Sequence, residues 1–384
     1  MKWAASILIF CVAVLIGLGM VMLYSASMTM ELNKSAVGAQ LLLSQLHWFL
    51  FGLACCVVAA IMDYRWLKRL SAWLLAFSVL LLLLVFAPVI GPSIHGAHRW
   101  ICFPGLPHFQ SSEFAKLALI IFLAAYGERY QRQIAGFKKG LVIPGAIMAL
   151  ALGLIFVEPD RGCTILLASV CGVMLIVAGV RLSYLVAPVA LLSVGLALSF
   201  LHDPMRMRRI MAWLHPEQNE GGVGYQAHEA MIALGSGGWT GLGLGNGRQK
   251  LGFVPEHHTD FIFSIIGEEL GLVATMTVVL LFIALAICGV FIARRSSDAF
   301  GLLLGTGLTF MIGFQAFINI GVVTSVLPNK GMPLPFISYG GSNLVLMLVS
   351  VGLLTSISRF ATETVTQKSS NPFEMALDPP PTHA

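Results

Sequence analysis

The chain has 384 residues, 57% of them hydrophobic and only 11% charged, where a soluble domain averages roughly 25% charged. This excludes an ordinary water-soluble enzyme and a disordered chain, and long apolar runs with few charges read as membrane spans. The net charge of +5 does not argue for nucleic acid, and in a membrane protein the placement of charge matters more than its sum.

The apolar runs predict an all-α polytopic membrane protein of ten transmembrane helices, at about 3–28, 46–62, 70–90, 113–126, 141–157, 163–179, 183–201, 261–293, 299–325 and 341–358. The first run is too long for the apolar region of a signal peptide and reads as a retained helix. The fourth is short and charged, so it is expected to lie partly against protein. The eighth is long enough to extend beyond the bilayer. Residues 1–360 form a single membrane domain with a large outer loop at 202–260, between spans seven and eight. The tail 361–384 is polar, ends in DPPPTHA and is expected to be disordered.

Lys and Arg set the orientation. With the N-terminus inside, the inner segments hold Lys2, Arg65, Lys68, Arg69, Arg129, Arg132, Lys138, Lys139, Arg181, Arg294, Arg295, Arg359 and Lys368. The short outer loops hold only Lys34, Arg99, Arg161 and Lys330. An even number of spans then places both termini in the cytoplasm. The outer face carries the loop 91–112, the turn 158–162, the loop 202–260 and the Pro/Gly-rich segment 326–341. Of the seven cysteines, five sit in apolar runs, where Cys acts as a small hydrophobe. Only Cys102 and Cys163 stand where an outer disulfide could form, and sequence does not set its geometry.

The outer-face motifs follow in chain order. SSEFAK puts Glu113 and Lys116 on one helix face. They either satisfy each other or leave Lys116 to touch an anionic substrate. EPDRG places Glu158, Asp160 and Arg161 in a tight turn, explicable by turn chemistry or as a polar pocket. MRMRR, followed by Trp213, reads as an interfacial anchor in preference to a site for lipid phosphates. GGWTGLGLGNGRQK lacks P-loop spacing and a preceding strand; it reads as a tight turn with Arg248 and Lys250 open to an anion. His257, His258 and Asp260 do not have the spacing of a protein-built metal site. A Mg²⁺ or Mn²⁺ ion shared with a substrate pyrophosphate fits better, and no organic cofactor is expected.

Asp260, where loop meets membrane, is open to two readings: a helix N-cap, or a carboxylate tuned for general-base work. Glu268 and Glu269 lie two turns deeper, and buried carboxylates in a span usually face a cavity or a partner. PNKGMPLPFISYGGSN (328–343) cannot be regular helix, and such backbone at membrane depth lines a cavity, into which Lys330 would project.

Together these motifs resemble the SEDS family (shape, elongation, division and sporulation), polytopic peptidoglycan glycosyltransferases. The resemblance runs from LYSAS near Tyr24 to SISR at Arg359, and HTDFIFSIIGEELG with PLPFISYGGSN carries most of it. GWTGLGLGNGRQKLGFVPEHHTDF and the Lys of PNKG are closer to the division branch of the family than to its elongation branch. The resemblance implies ten helices with a large outer loop after the seventh. It makes Asp260 the family's essential aspartate and places Glu113, Lys116 and Asp160 in the same polar cavity. Lys330 and Ser338 fall in the matching Pro/Gly-rich stretch. Arg161 is a departure, since the family commonly has an apolar residue there.

The implied reaction polymerises lipid II, the undecaprenyl-pyrophosphate-linked disaccharide peptide, on the outer face of the bacterial cytoplasmic (inner) membrane at the division septum. An α-linked donor giving a β-1,4 product needs one inverting displacement, with one base and cationic help for the pyrophosphate. The implied partners are a class B penicillin-binding protein transpeptidase and other divisome proteins. A flippase for the same precursor and a non-catalytic divisome scaffold are the alternatives. Against transport, the charges cluster at the outer surface instead of the midplane.

Overall fold

The computed structural model describes residues 2–31, 37–87, 91–92, 99–101, 109–214, 224–249 and 259–369, without the side chains of 27–31, 37–39, 200, 205–206 and 362–369. It is nearly all helix. The long elements are α1 (Lys2–Glu31), α2 (Val37–Ile61), α3 (Trp66–Leu84), α4 (Ser111–Arg129), α5 (Ile143–Val157), α6 (Arg161–Ala178) and α7 (Leu182–Leu201). Then come two shorter helices, α8 (Pro204–Leu214) and α9 (Tyr225–Ser236), and the long α10 (Ile262–Arg294), α11 (Ala299–Val323) and α12 (Gly341–Ser369). A two-stranded antiparallel ribbon, Trp100–Ile101 with Phe109–Gln110, leads directly into α4.

Among the described residues nine helices are long and apolar enough to cross a membrane. The tenth expected span, α4, is distinguished by its setting. It packs between α3, α6 and α11, with most of its residues buried. Its charges are therefore tolerable because protein, not lipid, surrounds them. The segment 202–260 is partly structured, containing the short helices α8 and α9. α12 continues to Ser369, into the segment read as tail, and residues 370–384 lie outside the described ones.

The 33 residues of α10 would extend about 50 Å as one straight helix, well beyond a hydrocarbon core of about 30 Å. The excess is separated at Gly271, whose φ of 76° and ψ of −171° break the helix. There the expected bonds are exchanged for bonds to the glycine-rich loop. Leu272 N donates to Gly238 O (2.9 Å) and Leu242 N donates to Glu268 O (2.9 Å). Likewise Val273 N donates to Trp239 O (3.3 Å) and Gly243 N to Glu269 O (3.0 Å). A Cβ at Gly271 would overlap the Gly241 backbone, so glycine serves both the positive φ and the close approach.

The helix starts and ends sort the bundle into two polar ends. One gathers the starts of α4, α6, α10 and α12 and the ends of α5 and α11. The other gathers the α2–α3 and α10–α11 turns and the start of α1, where Trp3 meets Phe291 (centroids 4.7 Å apart).

Candidate active site

The first end holds a connected chain of polar groups. Lys116, 0% exposed, pairs with Glu113 (Nζ to Oε2 2.9 Å) and donates to Gln315 Oε1 of α11 (3.2 Å). Asn343 Nδ2, at the start of α12, donates to Glu113 Oε2 (3.1 Å). Gln315 Nε2 donates to Pro333 O (2.9 Å). Asn319, one turn further along α11, donates to Met332 O (2.6 Å) and to Asp260 O (2.8 Å). Two amides on one face of α11 thus fasten the non-helical segment 330–334 and the backbone of Asp260 to the ion pair on α4. Most of these groups are buried, where unmade bonds are costly, so the network fixes geometry.

Asp260 lies in the turn before α10. Phe261, not Asp260, occupies the N-cap position, and its side chain makes no cap bond. The Asp260 carboxylate instead abuts Gly331, where a Cβ would collide with its Oδ2. Glycine at 331 is therefore a requirement of the close approach of that carboxylate.

Asp160 caps α6, its Oδ1 accepting from Cys163 N (3.1 Å) and its Oδ2 from Gln110 Nε2 (3.3 Å). Glu158 is 0% exposed, near Ser111 Oγ (3.4 Å), and burial together with Asp160 pushes its carboxyl up to about 8. Arg99 donates to Pro159 O (2.6 Å) and Glu158 O (3.3 Å). Lys330 crosses Gly162, whose added Cβ would lie 3.1 Å from its Cε. Desolvation brings the Lys330 ammonium down to about 8, opposed by the attraction of Asp160 and reinforced by Arg161 and Arg99. Its Nζ is sealed from solvent and finds no acceptor among the described residues.

Glu113, Lys116, Asp160, Asp260 and Lys330 therefore come together. Ser338 is engaged locally: its Oγ accepts from Leu334 N (2.8 Å), closing the turn inside PLPFISYGG. Arg248 is exposed, and its backbone N donates to Glu268 Oε1 (2.6 Å). Lys250, His257, His258 and Cys102 lie outside the described residues. Cys163 is a buried free thiol beside Ser112 (4.0 Å). No three His, Cys, Asp or Glu converge as metal ligands among the described residues.

Glu268 and Glu269 have a different task from lining a cavity. Glu268 accepts from Arg248 N and from Gln249 N (3.2 Å). Glu269 Oε2 accepts from Gly245 N (3.1 Å) and Ser25 Oγ (2.6 Å). The two carboxylates tie the glycine-rich loop to α10 and α1. The linking residues Gln315, Asn319 and Asn343 are absent from a reading based on charges. Their signal was two amides four residues apart in an apolar span, since polar residues there rarely lack a purpose.

The family model described as "cell cycle protein", for FtsW, RodA and SpoVE, matches residues 5–363. A probable peptidoglycan glycosyltransferase FtsW of Geobacter metallireducens is 40% identical over 88% of this chain and 90% of its own length. The corresponding protein of Coxiella burnetii is 36% identical over 91% of this chain and 95% of its own. A chain from a peptidoglycan synthase complex, solved for its coordination of polymerization and crosslinking, superposes with a TM-score of 0.76 at 28% identity, covering 92% of this chain and 97% of that one. The Thermus thermophilus rod shape determining protein RodA superposes with a TM-score of 0.65 at 27% identity, over 92% of this chain and 95% of that one. A match along nearly the whole chain, with the same fold, places it in the FtsW/RodA/SpoVE family: the chain is a SEDS protein.

Proposed function

We propose that this SEDS peptidoglycan glycosyltransferase polymerises lipid II at the end of the bundle that holds Asp260, with Asp260 as its general base. The supporting observation is the close approach of the Asp260 carboxylate to Gly331, in the segment that also carries Lys330, whose ammonium meets no acceptor among the described residues. One amide, Asn319, ties the backbone of Asp260 to that of Met332, two residues after Lys330.

The acceptor 4-hydroxyl gives its proton to the Asp260 carboxylate as its oxygen attacks the donor's anomeric carbon. The anomeric C–O bond breaks, and undecaprenyl pyrophosphate leaves with the electron pair. That leaving group is already a stable anion, so it needs positive charge, not a strong acid. Lys330 supplies it, with Arg248 and Lys250 of the outer loop as further contacts. A Mg²⁺ or Mn²⁺ ion carried by the pyrophosphate would add to the same charge. Lys116, matched by Glu113 and Gln315, positions the segment 330–334 and helps shape the donor site together with Asp160 and Ser338.

The chain works as a multi-pass protein of the cytoplasmic membrane, with ten spans, cytoplasmic termini and the site facing outward at the septum. Relatives named FtsW and the structural likeness to a complex that coordinates polymerization and crosslinking support a class B penicillin-binding protein as partner within the divisome. The test is product analysis of the purified chain with that transpeptidase. Glycan ladders from lipid II are expected. Monomer moved across the bilayer without polymer would indicate a flippase, and neither product would indicate a scaffold.

A further inference from the structure

We propose that Arg161 is a second cation for the donor's phosphates, forming with Lys330 a phosphate clamp at the start of α6. The inference deepens the polymerase reading and rests on it for the identity of the phosphate.

Arg161 is the first residue of α6, directly after the cap Asp160. Its Cζ stands 5.1 Å from the centroid of the Phe156 ring, a cation–π contact. Its Nε and Nη1 are sealed from solvent, yet no acceptor meets them among the described residues. Lys330 Nζ is in the same state, and the Lys330 side chain passes over Gly162, the next residue. Two cations thus approach one helix start with at least three donor atoms unmet. Arg99, bound to the carbonyls of Glu158 and Pro159, adds a third positive charge nearby.

Asp160 is occupied by Cys163 N and Gln110. Asp203, at the α7–α8 junction, attracts Arg161 without forming an ion pair with it. Like charges brought together and left without acceptors are unfavourable unless an anion joins them. A planar guanidinium beside an ammonium suits phosphate, which offers several oxygens in different directions. The first backbone amides of α6 add positive potential at the same place.

The test uses the full chain with its transpeptidase in nanodiscs, comparing wild type with Arg161→Leu, Arg161→Gln and Arg161→Lys. Inorganic pyrophosphate should raise the wild-type melting temperature and compete with lipid II. Arg161→Leu and Arg161→Gln should weaken pyrophosphate binding roughly 10-fold, as loss of a charge-assisted contact does. They should raise KM for lipid II far more than they lower kcat, and Arg161→Lys should recover part of the loss. Two removals guard against one of them misfolding. Unchanged pyrophosphate affinity in a folded variant, with polymerisation intact, overturns the proposal and spares the polymerase reading. Arg161-dependent pyrophosphate binding without any wild-type polymer supports the clamp and removes the polymerase. Arg161-dependent stabilisation by phosphatidylglycerol over phosphatidylcholine, without competition from pyrophosphate, would make this a headgroup site and overturn the proposal as well.

Discussion

The two polar ends of the bundle use charge differently. At the end away from Asp260, Asp298 caps α11 through Gly301 N (3.1 Å), accepts from Tyr64 Oη (2.6 Å) and pairs with Arg65 (3.5 Å). Arg65 also donates to Ser297 (2.8 Å), and Arg359 donates to Ile61 O. Arg65, Lys68 and Arg359 there meet acceptors, as expected of groups that hold helices together. At the other end Glu113 and Lys116 are matched just as closely, but Lys330 and Arg161 keep buried nitrogens without acceptors among the described residues. In the proposed reading, pairing belongs to the frame and unmet donors to the ligand's charge.

That contrast can be broken most severely at the buried pair. Lys116→Ala leaves Glu113 in the interior with only Asn343, and removing one partner of a buried pair costs roughly 3–5 kcal/mol. A large fall in melting temperature with weakened donor use is expected; loss of stability alone would reduce the pair to framework. Asn319→Ala is next. It removes the bonds to Asp260 O and Met332 O, at about 1–3 kcal/mol, and should lower kcat more than it lowers the melting temperature. Asp298→Ala, at the opposite end, should cost about 1–2 kcal/mol through the lost cap and leave turnover per folded molecule unchanged. A loss of turnover there would erase the distinction between the ends.

The smallest expected effects are pH effects. Glu158 titrates near 8 in the folded protein against an ordinary value of 4.5, so the folded state binds the extra proton between these values. Stability from this group is therefore lost as pH rises toward 8, and Glu158→Gln should flatten that fall. Lys330 titrates near 8 against 10.5, so its charge, and the activity that depends on it, should fade as pH passes 8. Stability from Lys330 runs the other way, rising between 8 and 10.5, because there the unfolded chain holds the extra proton.

Much of this was legible in the residues. Apolar runs located the long helices, most of their ends within a few positions, because about 20 apolar residues without charge have few other uses; α2 begins nine residues earlier and α12 ends eleven later than expected. Most of the charged motifs fall at one end of the bundle, and they stood out in the sequence because charges in spans are scarce. The amide clamp was not legible: Asn319 and Asp260 are 59 residues apart, and their bond runs to a backbone carbonyl that carries no sequence signal. The tie between Glu268, Glu269 and the glycine-rich loop was hidden for the same reason, its partners being backbone amides of Gly245, Arg248 and Gln249. Asp260 looked equally suited to capping, and only the placement of Phe261 at the N-cap and of Gly331 against the carboxylate separates the roles.

The most direct measurement is the rate of lipid II polymerisation by the purified chain with its transpeptidase, wild type against Asp260→Asn, with melting temperature recorded for both. Asparagine keeps the size of the side chain and the backbone bond to Asn319 while removing the basic oxygen. A general base contributes roughly 10²–10⁴-fold, so a fall of that size at an unchanged melting temperature is expected. Turnover within a few-fold of wild type in the folded variant would contradict the assignment and place the base elsewhere.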